Sequence, residues 1–233
     1  MIILILFLFF TQIDSASQHF WENRYKRFDR LNDAAMTNLN HKPDVLLWRY
    51  ALMDSTIKAF CPKEAHHVLD IASGAGHYIW TSLELWPNAH IVGFDISPRM
   101  ADTLKIRFYN YPNVDIYHAD LRDPYFINNE KFDVILAMGC MEHMISDEEL
   151  VNALNTFERS MTQGGIMLVS GRFDTVGVHY GPDNFIFKRL RSLELWKDLI
   201  AQTNLKLIDY VHSHPNGRQR HHHHDVLVLK RKQ

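Results

Sequence analysis

Apolar runs and amphipathic stretches alternate along the chain from residue 66 to residue 231. Short apolar runs bounded by polar residues or glycine predict strands, and longer stretches with apolar positions three or four residues apart predict helices. The predicted strands lie at about 66–71, 89–95, 114–119, 132–138, 166–170, 206–212 and 225–230. The predicted helices lie at about 77–86, 98–109, 147–161 and 188–203, and residues 171–187 are predicted to form a loop. This alternation predicts an α/β fold, doubly wound, with a mainly parallel sheet between two layers of helices.

The last two predicted strands depart from the alternation. The segment between them contains His214-Pro215-Asn216-Gly217 and leaves no room for a helix, so these strands are predicted to pair antiparallel. The same segment carries histidines at positions 221–224. Consecutive side chains that enter a strand point to opposite faces, whereas a metal ion needs converging nitrogens. An exposed hairpin segment is therefore favoured over a metal site.

The chain ahead of the first strand divides into two parts. Residues 17–62 have apolar positions at helical spacing and are predicted to form a helical cover, followed by a core over residues 63–233. Residues 1–16 open with ten consecutive apolar residues, fewer than the about 20 that a membrane-spanning helix needs. The opening run resembles the apolar part of a signal peptide, although no lysine or arginine precedes it. Secretion, anchoring and a misassigned start codon stay open as interpretations.

Residues 68–77 form the most informative stretch of the sequence. An apolar strand carries Asp70 and ends in a turn of small residues from Ala72 to Gly76, and a helical pattern follows. A turn without bulky side chains lets the backbone approach a ligand closely. Asp95 ends the next predicted strand, about 20 residues past the turn, which is the spacing of a carboxylate that binds ribose hydroxyls.

Two classes of adenosyl ligand compete for this turn. A dinucleotide site is typically G-x-G-x-x-G, with a diphosphate at the helix N-terminus. Here Ile79 stands where the third glycine would be, and Asp70 lies just before the turn. A carboxylate is a poor neighbour for a diphosphate and a suitable one for an ammonium or sulfonium group. The sequence therefore favours a positively charged adenosyl ligand.

The stretch resembles the D-x-G-x-G-x-G motif of class I methyltransferases that depend on S-adenosylmethionine (SAM). Ala72 replaces the first glycine, at little cost if its φ angle stays negative. The resemblance implies a seven-stranded Rossmann-like sheet of order 3-2-1-4-5-7-6 with strand 7 antiparallel. It also implies that SAM is the cofactor and that the reaction is an in-line methyl transfer.

The resemblance further assigns roles to individual positions. It implies these cofactor-binding residues: Asp70, Ala72, Gly74, Gly76, Asp95, Ile96, Asp120, Leu121 and Met138. Glu142-His143 resembles an E-H pair found at the exit of strand four in many small-molecule methyltransferases, and either residue is a candidate catalytic base. A structural role for this pair in the loop is the competing interpretation.

The residues at the end of strand four indicate the class of substrate. Met138-Gly139-Cys140-Met141 differs from the N/D-P-P-Y/F motif of nucleic-acid amino-methyltransferases, and it supplies no carboxylates for a metal. Cys140 does not follow a proline, as the nucleophile of cytosine-C5 enzymes does, so a packed thiol is favoured. A small-molecule acceptor is expected, with candidate contacts after strand five at Arg172, Phe173, His179, Tyr180 and Phe185.

Composition narrows the partners and the location. The 233 residues suit one domain, and a net charge of −2 gives no general attraction to nucleic acid. The two cysteines do not make a disulfide framework. A cytoplasmic location is expected, with membrane association only through residues 1–10, and the oligomeric state is open. A catalytically silent SAM-binding domain and, less favoured, an NAD-dependent oxidoreductase are the alternative functions.

Overall fold

The computed structural model describes residues 15–25, 43–123, 127, 130–180, 186–212 and 225–232. The helices in these ranges are α1 (Ser15–Tyr25), α2 (Pro43–Phe60), α3 (His77–Leu85), α4 (Pro98–Arg107), α5 (Asp147–Arg159) and α6 (Leu193–Ala201), with a 3₁₀ turn at Met141–His143. The strands are β1 (His67–Ile71), β2 (His90–Asp95), β3 (Val114–His118), β4 (Phe132–Met138), β5 (Met161–Gly171), β6 (Gly177–Tyr180), β7 (Ile186–Leu190), β8 (Leu205–Val211) and β9 (Asp225–Arg231).

The central sheet confirms the predicted topology. Its order is β3-β2-β1-β4-β5-β9-β8, which is the predicted 3-2-1-4-5-7-6 because the predicted strands six and seven are β8 and β9. Strands β1 to β5 pair in parallel. Strand β9 pairs antiparallel with both β5 and β8, as the short connection between the last two strands required.

Alternation along the strands divides the core into two layers. In β1, Val68 faces one side of the sheet, and Leu69 and Ile71 face the other, because successive strand side chains point to opposite faces. The Leu69 side is covered by apolar residues of α5 and α6. The Val68 side is covered by those of α2, α3 and α4. Both faces of the sheet are buried under helices, which accounts for the nearly continuous apolar runs of these strands.

Two helix starts read from the sequence are present. Helix α4 begins after Ser97, whose hydroxyl accepts the Met100 N–H, with Pro98 at the first helical position. Helix α5 begins after Ser146, which forms a capping box with Glu149. Such caps satisfy backbone N–H groups that have no partner inside the helix.

The prediction of a loop over residues 171–187 is wrong. Part of it forms β6, which pairs antiparallel with β7 as a separate two-stranded sheet. The predicted helix from about 188 accordingly begins later, at Leu193, where Ser192 caps it. The chain at 188–190 is extended because it pairs with β6, and Lys188 and Arg189 form ion pairs with Glu142 and Asp147. Those partners are distant in sequence, so local patterning did not reveal them.

Strand β5 is longer than predicted. The predicted turn Gln163-Gly164-Gly165 lies within β5, where the pairing with β4 shifts between Phe132 and Val134. The glycines therefore accommodate an irregularity of the ladder and do not end the strand.

Several expectations concern features outside the central sheet. Cys61 and Cys140 are free thiols. Among the residues that the structure describes, no helix is long and apolar enough to cross a membrane. The same residues contain no group of three or more side chains suited to hold a metal ion. Residues 1–14 and the histidines at 221–224 lie outside the described ranges, and the division into leader, cover and core stays a prediction.

Candidate functional site

An open cavity lies at the carboxyl ends of β1 to β4, with residues of α1 on one of its walls. The lining residues are Ser17, Trp21, Ala72, Gly74, Phe94, Asp95, Ile96, Ala119, Asp120, Leu121, Arg122, Met138, Gly139, Cys140, His143 and Met144. The cavity lies at the switch point of the sheet, between β1 and β4, where α/β folds bind ligands.

Most of the predicted site residues come together here. Those that line the cavity are Ala72, Gly74, Asp95, Ile96, Asp120, Leu121, Met138 and His143. Three others do not line it: Asp70, Gly76 and Glu142. Asp70 and Glu142 are buried and not exposed to the cavity.

The turn after β1 is shaped by backbone conformations that few residues adopt. Gly74 and Gly76 have φ angles of 53° and 81°. At Gly76 an added Cβ would also come within 2.8 Å of Leu104 in α4 and of Phe108, the residue after this helix. Ala72 has a φ of 54°, so the condition under which alanine would cost little here, a negative φ, is not met. All three positions of the motif have a positive φ, and a residue with a Cβ is strained in the first of them.

Asp95 connects this turn to the end of β2. Its Oδ2 accepts the Gly74 N–H at 3.0 Å and its Oδ1 accepts the Ser97 N–H at 2.9 Å. Burial raises the pKa of Asp95 to about 6, although both N–H groups oppose the shift. A carboxylate offers about four lone-pair sites, so two backbone bonds leave acceptor capacity toward the cavity.

Asp70 lies behind the turn as a buried acid. Its Oδ2 has no hydrogen-bond partner among the described residues, and Ser73, two residues past the strand, donates its hydroxyl to the Asp70 carbonyl at 2.9 Å. Burial raises the pKa of Asp70 to about 8, and the neighbouring Asp95 adds to the shift. A positive group brought into the cavity would favour the ionised forms of both acids.

Asp120 and Arg122 form an ion pair on the cavity wall. The Arg122 guanidinium donates to both Asp120 oxygens, with Nε at 2.9 and 3.1 Å, and the Arg122 N–H also reaches Oδ1. The acid expected to meet a nucleobase therefore already has a cationic partner, and a base amino group would share Asp120 with it.

Glu142 and His143 differ sharply in their surroundings. Glu142 accepts the Arg172 N–H at 2.8 Å and forms an ion pair with Lys188, so it joins the segment after β4 to β5 and β7. His143 lines the cavity, and its Nδ1 contacts the carbonyl oxygen of Phe187. A carbonyl only accepts hydrogen bonds, so Nδ1 carries the proton, and in the neutral ring Nε2 carries the lone pair.

Helix α1 supplies a wall that site motifs did not reveal. Trp21 lies edge-on to the His143 ring, with centroids 5.0 Å apart. Glu22 accepts the Arg99 N–H at 3.2 Å and contacts the Ser97 hydroxyl, which holds α1 against the start of α4. The sequence signal for this wall was the helical spacing of Trp21. It predicted a helical cover but did not identify which of its side chains line the cavity.

The acceptor candidates after β5 separate into different environments. Phe173 is buried against Trp196, with ring centroids 5.4 Å apart, so it belongs to the core. Tyr180 is exposed, and Phe185 lies outside the described residues. Phe187, which the sequence did not indicate, stacks on Phe20 of α1 at 4.7 Å.

Comparison with known proteins agrees with this geometry. Residues 68–165 match the family model of a methyltransferase domain. Over 103 residues the chain is 26% identical to malonyl-[acyl-carrier protein] O-methyltransferase of Acetivibrio thermocellus, covering 44% of this chain and 34% of that protein. Over 159 residues it is 26% identical to trans-aconitate 2-methyltransferase of Streptomyces avermitilis, covering 65% and 54%. The chain thus spans about a third to a half of the curated relatives it matches.

Solved structures share the fold. A SAM-dependent methyltransferase of Leishmania major superposes with a TM-score of 0.74 at 13% identity, covering 92% of this chain and 83% of that one. The N-methyltransferase NodS of Bradyrhizobium japonicum, in complex with S-adenosylhomocysteine, superposes with a TM-score of 0.62 at 14% identity, covering 91% and 100%.

The strain at Ala72 predicts that Ala72→Gly stabilises the protein. A left-handed conformation costs an alanine about 1–2 kcal/mol. Glycine removes this cost, but its greater conformational freedom in the unfolded chain lowers the gain by about 0.4–1 kcal/mol. The free energy of unfolding should rise by about 0.5–1 kcal/mol in urea denaturation. Ala75→Gly in the same turn is the matched control and should lose stability, because Ala75 is buried and its φ is not positive. Equal losses in both variants would contradict the strain.

Asp70 predicts a pH dependence of stability. Its pKa is about 8 in the fold against an ordinary 3.8, so between these values the folded state holds a proton that the unfolded state has lost. The free energy of unfolding should therefore fall as pH rises, by up to about 1.4 kcal/mol per pH unit. Asp70→Asn should remove most of the slope between pH 6 and 8, measured by urea denaturation of the ligand-free protein. The exposed Asp102→Asn should keep the wild-type slope, and a flat wild-type profile would contradict the prediction.

Proposed function

We propose that this chain, whose residues 68–165 match a methyltransferase domain, transfers the methyl group of SAM to a small-molecule acceptor. The observation that carries this proposal is the single cavity wall shared by the strained turn, Asp95, Asp120 and His143. Residues suited to bind a positively charged adenosyl ligand and a residue suited to accept a proton therefore line the same cavity.

The donor side suits SAM in shape and in charge. The turn at Gly74 presents backbone to the cavity, and Asp95 keeps acceptor capacity for the two ribose hydroxyls. Asp120 and Leu121 line the part of the wall expected to hold the adenine. Asp70 and Asp95 give the region behind the turn a negative potential once ionised, which favours an ammonium and a sulfonium over a diphosphate.

The transfer itself requires alignment more than side-chain chemistry. SAM, when bound, supplies a methyl group already activated by its sulfonium. Donor and acceptor atoms must be held in line at about 3 Å, which is the task of the turn on one side and of α1 on the other. As the acceptor's lone pair bonds to the methyl carbon and the carbon–sulfur bond breaks, the acceptor loses a proton. His143 can take this proton at Nε2, because its Nδ1–H is held by the Phe187 carbonyl.

The surroundings of His143 support a small and partly apolar acceptor. Trp21, Phe20 and Phe187 form an aromatic group beside the ring, and aromatic walls bind flat or apolar molecules. Two matched relatives are named for trans-aconitate and for malonyl groups on acyl-carrier protein. We keep the expected cytoplasmic location and the absence of a nucleic-acid partner as parts of this proposal.

Direct assays test the proposal and separate it from its alternatives. We expect SAM to bind in calorimetry and NADH not to compete with it. We also expect a labelled methyl group to pass from SAM to a component of a metabolite extract. SAM binding without formation of S-adenosylhomocysteine from any extract would instead support the catalytically silent domain.

Asp95→Asn tests the donor site while keeping the side chain's shape. An amide oxygen can replace only one of the two carboxylate oxygens, so one of the two backbone N–H groups loses its acceptor and the ribose hydroxyls lose the negative charge. SAM affinity should fall by about 1–3 kcal/mol in calorimetry. The matched control is Asp115→Asn, an acid that pairs with His90 at the sheet edge, and it should bind SAM normally. Wild-type affinity in Asp95→Asn would remove this residue from the donor site.

His143→Gln tests the proton acceptor. If Nε2 takes the acceptor's proton, kcat should fall by roughly 10²- to 10⁴-fold, while SAM affinity stays close to wild type. His90→Gln is the matched control, since His90 begins β2 and so lies at the amino ends of the parallel strands, away from the cavity at their carboxyl ends. A wild-type kcat in His143→Gln would show that the acceptor releases its proton elsewhere.

A further inference from the structure

Two contacts lie side by side between the 3₁₀ turn after β4 and strand β7. Lys188 forms an ion pair with Glu142, and the carbonyl oxygen of Phe187 contacts Nδ1 of His143. The two residues are consecutive in the turn and consecutive in the strand. The contact that holds the proposed proton acceptor therefore has a salt bridge directly beside it.

Strand β7 is irregular at Phe187. Its two neighbours in β7 pair with residues that are consecutive in β6, Tyr180 and His179, so Phe187 is an extra residue in this strand. Such an extra residue is left unpaired in the ladder, and bulges of this kind are frequent next to active sites. The Phe187 carbonyl can therefore accept from the histidine of the turn instead of from β6.

Side-chain contacts hold β7 against the site. The strand pairs with β6 in a sheet separate from the central one, and two strands alone are marginally stable. Arg189 and Arg191 reach Asp147 at 3.3 and 2.7 Å, at the start of α5. Lys188 instead binds the residue immediately before His143. The two arginines thus secure the hairpin as a whole, and Lys188 secures the part of it beside the histidine.

Glu142 is a firmly held partner for Lys188. Its side chain is 4% exposed and that of Lys188 is 17% exposed. Its Oε1 accepts the Arg172 N–H at 2.8 Å, and a Cβ added at Gly171 would lie only 3.3 Å from the same oxygen. Breaking a buried ion pair leaves an uncompensated charge and is costly. The pair therefore resists displacement of β7 relative to the turn.

We propose that Lys188 and Glu142 are positioning residues for His143. Their ion pair holds the Phe187 carbonyl at Nδ1, so that the ring keeps its proton there and presents the lone pair of Nε2 to the methyl acceptor. The hydrogen bond at one ring nitrogen decides which nitrogen carries the proton. This inference rests on the proposed function, and neither positioning residue lines the cavity.

The ion pair is also neutral as a unit. Glu142 without Lys188 would raise the pKa of the neighbouring imidazole, and Lys188 without Glu142 would lower it. Besides the cavity-lining groups, the other charged or titratable side chains on the surrounding elements are Arg172 with Asp174, Arg189 with Asp147, His179 of β6, Glu22 of α1 and Arg49 of α2. They are unchanged when either member of the pair is replaced, so opposite pKa shifts would report on the pair itself.

Variants of the full chain test the proposal. They are Lys188→Met, Lys188→Arg, Glu142→Gln and the double variant of Glu142→Gln with Lys188→Met. The matched control is Arg189→Met, which removes the next cation of β7 and leaves Asp147 paired with Arg191. Thermal unfolding verifies that each variant folds.

Three measurements are made on each variant. Calorimetry gives the SAM affinity, and the rate of labelled methyl transfer to the metabolite extract is followed across pH. Long-range proton–nitrogen NMR spectra show which ring nitrogen carries the proton, and the signals of His143 are those missing from His143→Gln.

The positioning role predicts a change of tautomer together with a slower reaction. Wild type should show His143 protonated at Nδ1, whereas Lys188→Met should show a mixture of tautomers. Its rate of methyl transfer should fall roughly 10- to 100-fold, as expected when a reacting group is displaced, with SAM affinity unchanged. Lys188→Arg keeps the charge and should recover most of the rate, and Arg189→Met should resemble wild type.

The neutral pair predicts opposite shifts of the acid limb of the pH–rate profile. The limb should move to higher pH in Lys188→Met and to lower pH in Glu142→Gln, by about one pH unit in each case. In the double variant the limb should return to its wild-type position, because no net charge is left beside the ring. The rate of that variant should stay low, because the contact is still missing.

Other outcomes would overturn the proposal. If Lys188→Met matches Arg189→Met in tautomer and rate, the pair does not position His143, although methyl transfer by wild type leaves the proposed function intact. A slower rate with the wild-type tautomer would show a merely structural role. If wild type transfers no methyl group, the proposed function fails, and the NMR spectra still decide the role of the pair. A tautomer that changes in Lys188→Met would then support it, and an unchanged tautomer would overturn it.

Discussion

The bond from the Gly74 N–H to the Asp95 carboxylate is the interaction on which the site depends. It joins the turn after β1 to the end of β2, and the second oxygen of Asp95 holds the Ser97 N–H at the start of α4. The parallel pairing of β1 and β2 places both ends at one edge of the sheet. One buried acid therefore fixes a loop, a strand end and a helix start. Because it is buried, its pKa lies near 6, and the ligand best suited to the space is one that brings hydroxyl donors and positive charge.

Charge is distributed unevenly around the cavity. Acids lie behind the donor turn, where Asp70 has an oxygen without a partner among the described residues. On the other side, Glu142 forms an ion pair with Lys188 and accepts the Arg172 N–H. Burial disfavours the ionised forms of the two acids behind the turn, and a positively charged ligand relieves that penalty.

Features that depend on residues close together in the chain could be predicted from the sequence. The position of Asp95 at the end of its strand and the caps at Ser97 and Ser146 depend on neighbours a few residues away, and each is present. The pair Glu142-His143 shows the limit. Both residues were equal candidates in the sequence, whereas in the fold Lys188 engages Glu142 and only His143 lines the cavity. Their difference arises from β7, a strand that local patterning had assigned to a loop and a helix.

The sequence by itself determined the alternation of strands and helices, the antiparallel pairing of the last two strands and the character of the turn, and the resemblance to a known family implied the order of the sheet. Apolar periodicity and a connection too short for a helix depend on spacing along the chain, and spacing is written in the sequence. Tertiary structure alone decided that Ala72 adopts a left-handed φ, that Trp21 lines the cavity and that His143 lines it while Glu142 does not. These outcomes depend on which distant segments pack together. Packing selects one arrangement among many that the same local patterns allow.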